Sequence, residues 1–131
     1  MASIFSKIVA GEIPCHKIAE TDNYLAFLDA FPLIEGHVLV IPKKETDNIF
    51  DIEDDELGGL IIFSKKIAIA VKKAIPCKKV GIAVIGLEVP HAHIHLVPLN
   101  EIGDINFSKP KLNPGFEKLT ETAKKIISCL D

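Results

Sequence analysis

Apolar and small residues recur at helical spacing through the middle of the chain. Leu57, Leu60, Ile61, Ser64, Ile67, Ala68, Val71, Ala74 and Ile75 fall on one stripe. One long amphipathic helix is therefore expected from Asp54 to Ala74. Acidic residues 53–56 stand at its start and Lys65, Lys66, Lys72 and Lys73 towards its end, which suits the helix dipole. Pro76 stops it. Gly58 and Gly59 each cost about 1 kcal/mol against Ala and allow close packing.

The apolar face of this helix needs a partner, and the other segments read as short strands. Residues 17–20 and 24–29 form a hairpin across the turn Thr21-Asp22-Asn23. After a turn at Pro32–Gly36, residues 37–42 make a third strand, apolar enough to be central. Residues 80–85 and 93–99 make two more. Ser3 caps a short N-terminal helix reaching Val9, with Ile4, Phe5, Ile8 and Val9 near one face, and Gly11 and Pro14 end it. Residues 100–115 carry Pro110 and Pro114 and read mostly as loop, and 116–130 as a terminal helix. Hairpins broken by one helix imply an α+β fold with an antiparallel sheet. At 131 residues, one domain is expected.

Composition narrows the function. Apolar residues make up 48% and charged residues 25%, an ordinary globular balance. The formal charge is −3, so no positive field favours nucleic acid. All 15 basic residues are Lys, so a bound phosphate meets no bidentate guanidinium. Cys15, Cys77 and Cys129 form neither a disulfide framework nor a Cys-x-x-Cys clip. No apolar stretch is long enough for a membrane span and no leader precedes the first helix. The expectation is a soluble cytoplasmic protein with reduced thiols and neither membrane nor nucleic acid as partner.

The chemistry lies in the histidines. Three of the five alternate in Pro90-His91-Ala92-His93-Ile94-His95-Leu96-Val97-Pro98. In a regular strand they share one face, and Ala92, Ile94 and Leu96 share the other. Side chains two apart are separated by about 6.5–7 Å, which suits a row of imidazoles serving one ligand. Two kinds of chemistry fit. The row is a zinc site, joined by a carboxylate such as Glu88, or an imidazole acts as nucleophile towards phosphorus. The missing Arg is compatible with both.

The run His91-Ala92-His93-Ile94-His95-Leu96-Val97 resembles the motif of the histidine triad (HIT) superfamily, in its Hint-like branch. Ile4-Phe5-Ser6-Lys7-Ile8-Val9-Ala10-Gly11-Glu12-Ile13-Pro14 is similar to that family's N-terminal segment, and Tyr24-Leu25-Ala26-Phe27-Leu28-Asp29 to its first hairpin. Pro32 followed by Gly36-His37-Val38-Leu39-Val40-Ile41-Pro42-Lys43-Lys44 is similar to its next strand. The match spans residues 3–99, leaving 100–131 as a C-terminal extension.

The resemblance implies a HIT-like α+β fold, a homodimer with a sheet continued across it, and a purine nucleotide or nucleotide conjugate as substrate. Cleavage falls at the α-phosphate. His93 is then the nucleophile that carries a nucleotidyl group, and His95 donates to phosphate oxygen. His37 and His91 orient the row. Asp29 accepts from the ribose hydroxyls. Phe5, Ile8, Phe27, Leu28 and Leu39 wall the base pocket beside Ala30, and Glu88 and Val89 complete the nucleotide-binding set. Neither a cofactor nor a catalytic metal is implied.

Three departures qualify the expectation. Leu87 and Glu88 stand where the family often has Gln and Ser or Thr, so help for the leaving group is altered. A nucleotide-binding or sensor protein with little turnover is the alternative. Ser3 and Ser6 stand where some bacterial members carry a zinc-binding Cys pair, so no structural zinc is expected. Leu99 replaces an Arg common after the triad, leaving Lys43 and Lys44 as candidates for anion steering.

Overall fold

The structure, a computed structural model, describes residues 2–131. Five strands form one antiparallel sheet in the order β1-β2-β3-β5-β4. They are β1 (Lys17–Glu20), β2 (Tyr24–Leu28), β3 (Val38–Pro42), β4 (Lys79–Ala83) and β5 (Ile94–Leu99). Three α-helices accompany them: α1 (Ile4–Val9), α2 (Asp54–Ala74) and α3 (Phe116–Ile127). The expected α+β architecture and the ends of α2 agree with this. The second, third and fifth strands and the last helix are shorter at their ends than the sequence suggests, and the fourth strand is shifted towards the N-terminus.

Strand alternation gives the sheet two faces with different tasks. Ala26, Val38, Val40, Ile94 and Leu96 point one way and pack against Leu60, Phe63, Ile67, Ala70 and Val71 of α2. Leu119, Ala123 and Ile126 of α3 close the same core. Leu25, Phe27, Leu39 and Ile41 point the other way and gather around Phe5 of α1. In the β3–β5 ladder, Leu39 stands opposite His95. The triad's last histidine is thus planted on the face away from the long helix.

The buried face of α2 follows the expected stripe and departs from it at the edges. Ile61 is 45% exposed, whereas Phe63 and Ala70 are buried. Isoleucines at 61, 62 and 69 leave the sequence ambiguous about which side is covered, and the position of the sheet decides it. Gly59 lies against the Tyr24 hydroxyl, which donates to the Glu56 carbonyl at 2.8 Å. Gly58 has open space where a Cβ would stand. No helix among the described residues is long and apolar enough to cross a membrane.

Candidate active site

The face of the sheet away from α2 floors a cavity of about 850 Å³. Phe5 and Ile8 reach it from α1, and Phe27, Leu28, Asp29 and Ala30 from β2 and the turn beyond. Leu39 comes from β3, and Glu88 and Val89 from the segment before the triad. The structure therefore brings every sequence-predicted binding residue to one cavity. Phe27 and Leu39 are also almost fully buried, so they pack the core and line the cavity together.

The histidines do not form the single row expected from strand alternation. Only His95 lies within β5, and His91 and His93 precede it. The Ala92 N–H is drawn to the Thr46 carbonyl at 2.7 Å, and the His91 N–H to the Val89 carbonyl at 2.8 Å. These bonds turn the chain before the ladder begins. His93 and His95 face the cavity with rings 4.8 Å apart, whereas His91 is fully buried behind them.

Backbone anchors fix the proton on each ring. The Leu33 N–H donates to His37 Nδ1 at 3.1 Å, so neutral His37 carries its proton on Nε2. That proton points to His95 Nδ1 at 2.9 Å, which leaves the His95 proton on Nε2. The Pro42 carbonyl, 2.7 Å from His91 Nε2, accepts a proton there, and Ser3 donates its hydroxyl to His91 Nδ1 at 2.8 Å. The His91 carbonyl accepts from His93 Nδ1 at 2.7 Å. His93 Nε2 is left with a lone pair. Among the described residues no buried side-chain nitrogen or oxygen lacks a partner, so the unbonded Nε2 atoms of His93 and His95 open on the cavity. The site therefore offers one imidazole lone pair beside one imidazole N–H donor.

Electrostatics keep the supporting rings neutral. Burial lowers the His37 pKa to about 4, helped by the Lys111 and His93 charges. Burial and the neighbouring His37 take His95 down to about 3. His91 is lowered too, mainly by burial and against the pull of the Pro42 carbonyl and Glu45. Burial raises the Asp29 carboxyl, while the Phe31 N–H holds one of its oxygens at 3.0 Å.

Two clusters invite a metal reading. Asp29, His37 and His95 place ligand atoms within 4.8 Å of one another. An ion there would have to displace the proton between His37 and His95. At the second, Glu45 Oε1 accepts from the Ser3 N–H at 2.6 Å and the Ser6 hydroxyl at 2.7 Å, beside His91. Two hydroxyls and a carboxylate already joined by hydrogen bonds do not fit a structural zinc site, which takes thiolates and imidazoles.

Residues 10–102 match the HIT domain family pattern. The chain belongs to the HIT family. It is 34% identical to the adenosine 5′-monophosphoramidase HNT1 of Saccharomyces cerevisiae over 132 residues, covering 99% of this chain and 84% of that one. A HIT-like protein from Bartonella henselae superposes with a TM-score of 0.87 at 34% identity, covering 98% of this chain and 96% of that one. A zinc-bound histidine triad family protein from Mycobacterium smegmatis gives 0.84 at 27% identity, covering 98% and 93%.

Several cavity residues escape sequence reasoning. His16, Phe107, Lys111 and Phe116 all line it, so the C-terminal extension is one of its walls. α3 also packs on α2 and β1. The His16 ring lies 4.8 Å from Phe116 and bonds Thr120 at 3.1 Å. No periodic signal marks these positions. Lys43 is tied to Glu20 at 2.8 Å, and neither it nor Lys44 lines the cavity, so the two steering candidates are displaced from the site.

Proposed function

We propose that this HIT protein is a nucleotide hydrolase cleaving at the α-phosphate of a nucleoside 5′-monophosphate conjugate, such as a phosphoramidate, an acyl-nucleotide or a dinucleoside polyphosphate. The carrying observation is the pair of oriented rings, with an unbonded His93 Nε2 beside a His95 Nε2–H. His93 Nε2 attacks phosphorus while the bond to the leaving group breaks. A carboxylate or phosphate departs as the anion, and an amine takes a proton from solvent that the hydrolytic water later returns. The phosphorylated ring keeps its Nδ1 proton and becomes cationic. The His91 carbonyl at 2.7 Å stabilises that charge. Water then cleaves the phosphorus–nitrogen bond, releasing the nucleoside monophosphate and restoring His93. His95 donates to a phosphate oxygen throughout. His37 and His91 act as positioning residues. The apolar walls take the base, and Asp29 takes the ribose hydroxyls.

The yeast relative's phosphoramidase activity supports adenosine 5′-phosphoramidate as the first substrate to try. Rapid denaturing quench followed by intact-mass analysis should show one adenylyl group on His93. AMP formed without any adduct, and formed equally by His93→Ala, would sink the mechanism.

One observation favours a second reading, a nucleotide-binding protein with slow turnover. Among the described residues no Ser, Thr or Tyr hydroxyl lines the cavity, and Glu88 is there instead. Calorimetry showing AMP binding, with no product from any of the three substrate classes, would select it.

The same reading includes a homodimer in the cytoplasm. Edge strand β4 exposes Ile82, and α2 exposes Ile62 and Ile69, apolar surface that a second copy would cover. Sedimentation equilibrium tests this, and a monomer at micromolar concentration would refute it.

A further inference from the structure

A cavity that takes a nucleotide must meet its phosphate, and this chain has no arginine to do so. Of its 15 basic residues, all lysines, one lines the cavity: Lys111. It projects from the loop between β5 and α3, and two ties hold that loop in place. The Phe107 ring stands edge-on to His95 at 4.6 Å, and the Leu112 N–H donates to the Pro32 carbonyl at 2.9 Å. Lys111 thus lines the cavity from a loop tethered to His95 through Phe107 and to the turn after Asp29 through Leu112.

The Lys111 ammonium takes part in no ion pair among the described residues, although Asp29 and Glu88 share the cavity wall. Its charge is available to a ligand. Burial dominates the proton affinities of Asp29, His37 and His95, and the Lys111 charge acts on all three. Its field thus covers both the expected ribose site and the expected phosphate site.

We propose that Lys111 reads the negative charge of the nucleotide's α-phosphate, supplying from the C-terminal loop the cation that no arginine provides. The proposal rests on the nucleotide reading above. An ammonium is a compact point charge with three donors, able to follow phosphate oxygens as their geometry changes during transfer. His95 and Lys111 then divide the work. The imidazole supplies a fixed donor direction and the lysine supplies charge. The consequence is selectivity for phosphorylated over unphosphorylated nucleosides.

The test compares wild type, Lys111→Met and Lys111→Arg, using AMP and adenosine as calorimetric ligands and adenosine 5′-phosphoramidate as substrate. Lys111→Met should hold adenosine within about twofold of wild type and lose about tenfold or more for AMP, the scale of one charge-assisted hydrogen bond. Lys111→Arg should recover most of the loss. Raising salt should weaken AMP binding to wild type more than to Lys111→Met. Lys111 is exposed on a loop, so the folded state should survive, and adenosine binding reports on that directly. An unchanged AMP-to-adenosine ratio in Lys111→Met overturns the proposal. If wild type hydrolyses the phosphoramidate and Lys111→Met does so equally well, the Lys111 role alone fails. If wild type neither prefers AMP nor yields it, the nucleotide reading fails and takes this proposal with it.

Discussion

The tautomer chain requires His37 to be neutral, because a second proton has nowhere favourable to go. Its Nδ1 already accepts the Leu33 N–H and its Nε2–H already faces His95. Burial and the nearby Lys111 and His93 charges hold its pKa near 4. The unfolded imidazole titrates near 6.5. The folded pKa is depressed, so the stability is fully present above 6.5 and is lost as pH falls from 6.5 towards 4. Between pH 7.5 and pH 5, His37 alone should cost about 2 kcal/mol, and His95 adds in the same direction. Stopping at pH 5 keeps the ordinary carboxylates ionised. With a urea slope of about 1–3 kcal/mol per molar, the unfolding midpoint should fall by about 1 M or more. In His37→Gln, the amide oxygen can accept the Leu33 N–H and its NH₂ can donate to His95 without titrating. That variant should lose about 2 kcal/mol less over the same range. Parallel pH dependence of wild type and His37→Gln would show that His37 is not the group whose protonation destabilises the fold.

Two further predictions concern stability. Ser3→Ala removes the cap on α1 together with the hydroxyl that Ser3 donates to His91, and should cost about 1–2 kcal/mol by urea denaturation. An unchanged midpoint would show that the cluster holds nothing in place. The neighbouring glycines of α2 should behave oppositely. Gly58→Ala meets open space and should stabilise by up to about 1 kcal/mol, whereas Gly59→Ala drives a methyl into the Tyr24 hydroxyl and should destabilise by about 1–3 kcal/mol. Thermal melts of the two variants moving in the same direction would contradict the packing described.

Much of the scaffold is legible because local signals agree. The period of α2, its acidic start and Pro76 fix its ends without reference to any other segment. The edges of its buried face are less legible, because isoleucines lie on both sides and the sheet position decides that Phe63 and Ala70, not Ile61, are covered. The triad's alternation marks the family but not the geometry of the site. His91 turns away to meet Ser3 and the Pro42 carbonyl, partners 88 and 49 residues distant that no local pattern encodes. The C-terminal wall is the least legible part. Phe107 and Lys111 stand in a polar, proline-bearing segment that reads mostly as loop, and two long-range ties, Phe107 on His95 and Leu112 to Pro32, bring it to the cavity.

In the proposed reaction His93, oriented by the His91 carbonyl, attacks phosphorus without a metal. The direct measurement is hydrolysis of adenosine 5′-phosphoramidate in excess EDTA, with wild type and His93→Ala side by side. Wild type should turn over in the presence of EDTA, and His93→Ala should not, although it should still bind AMP. Equal turnover in the variant, or wild-type activity lost to EDTA and restored by added zinc, would contradict that mechanism.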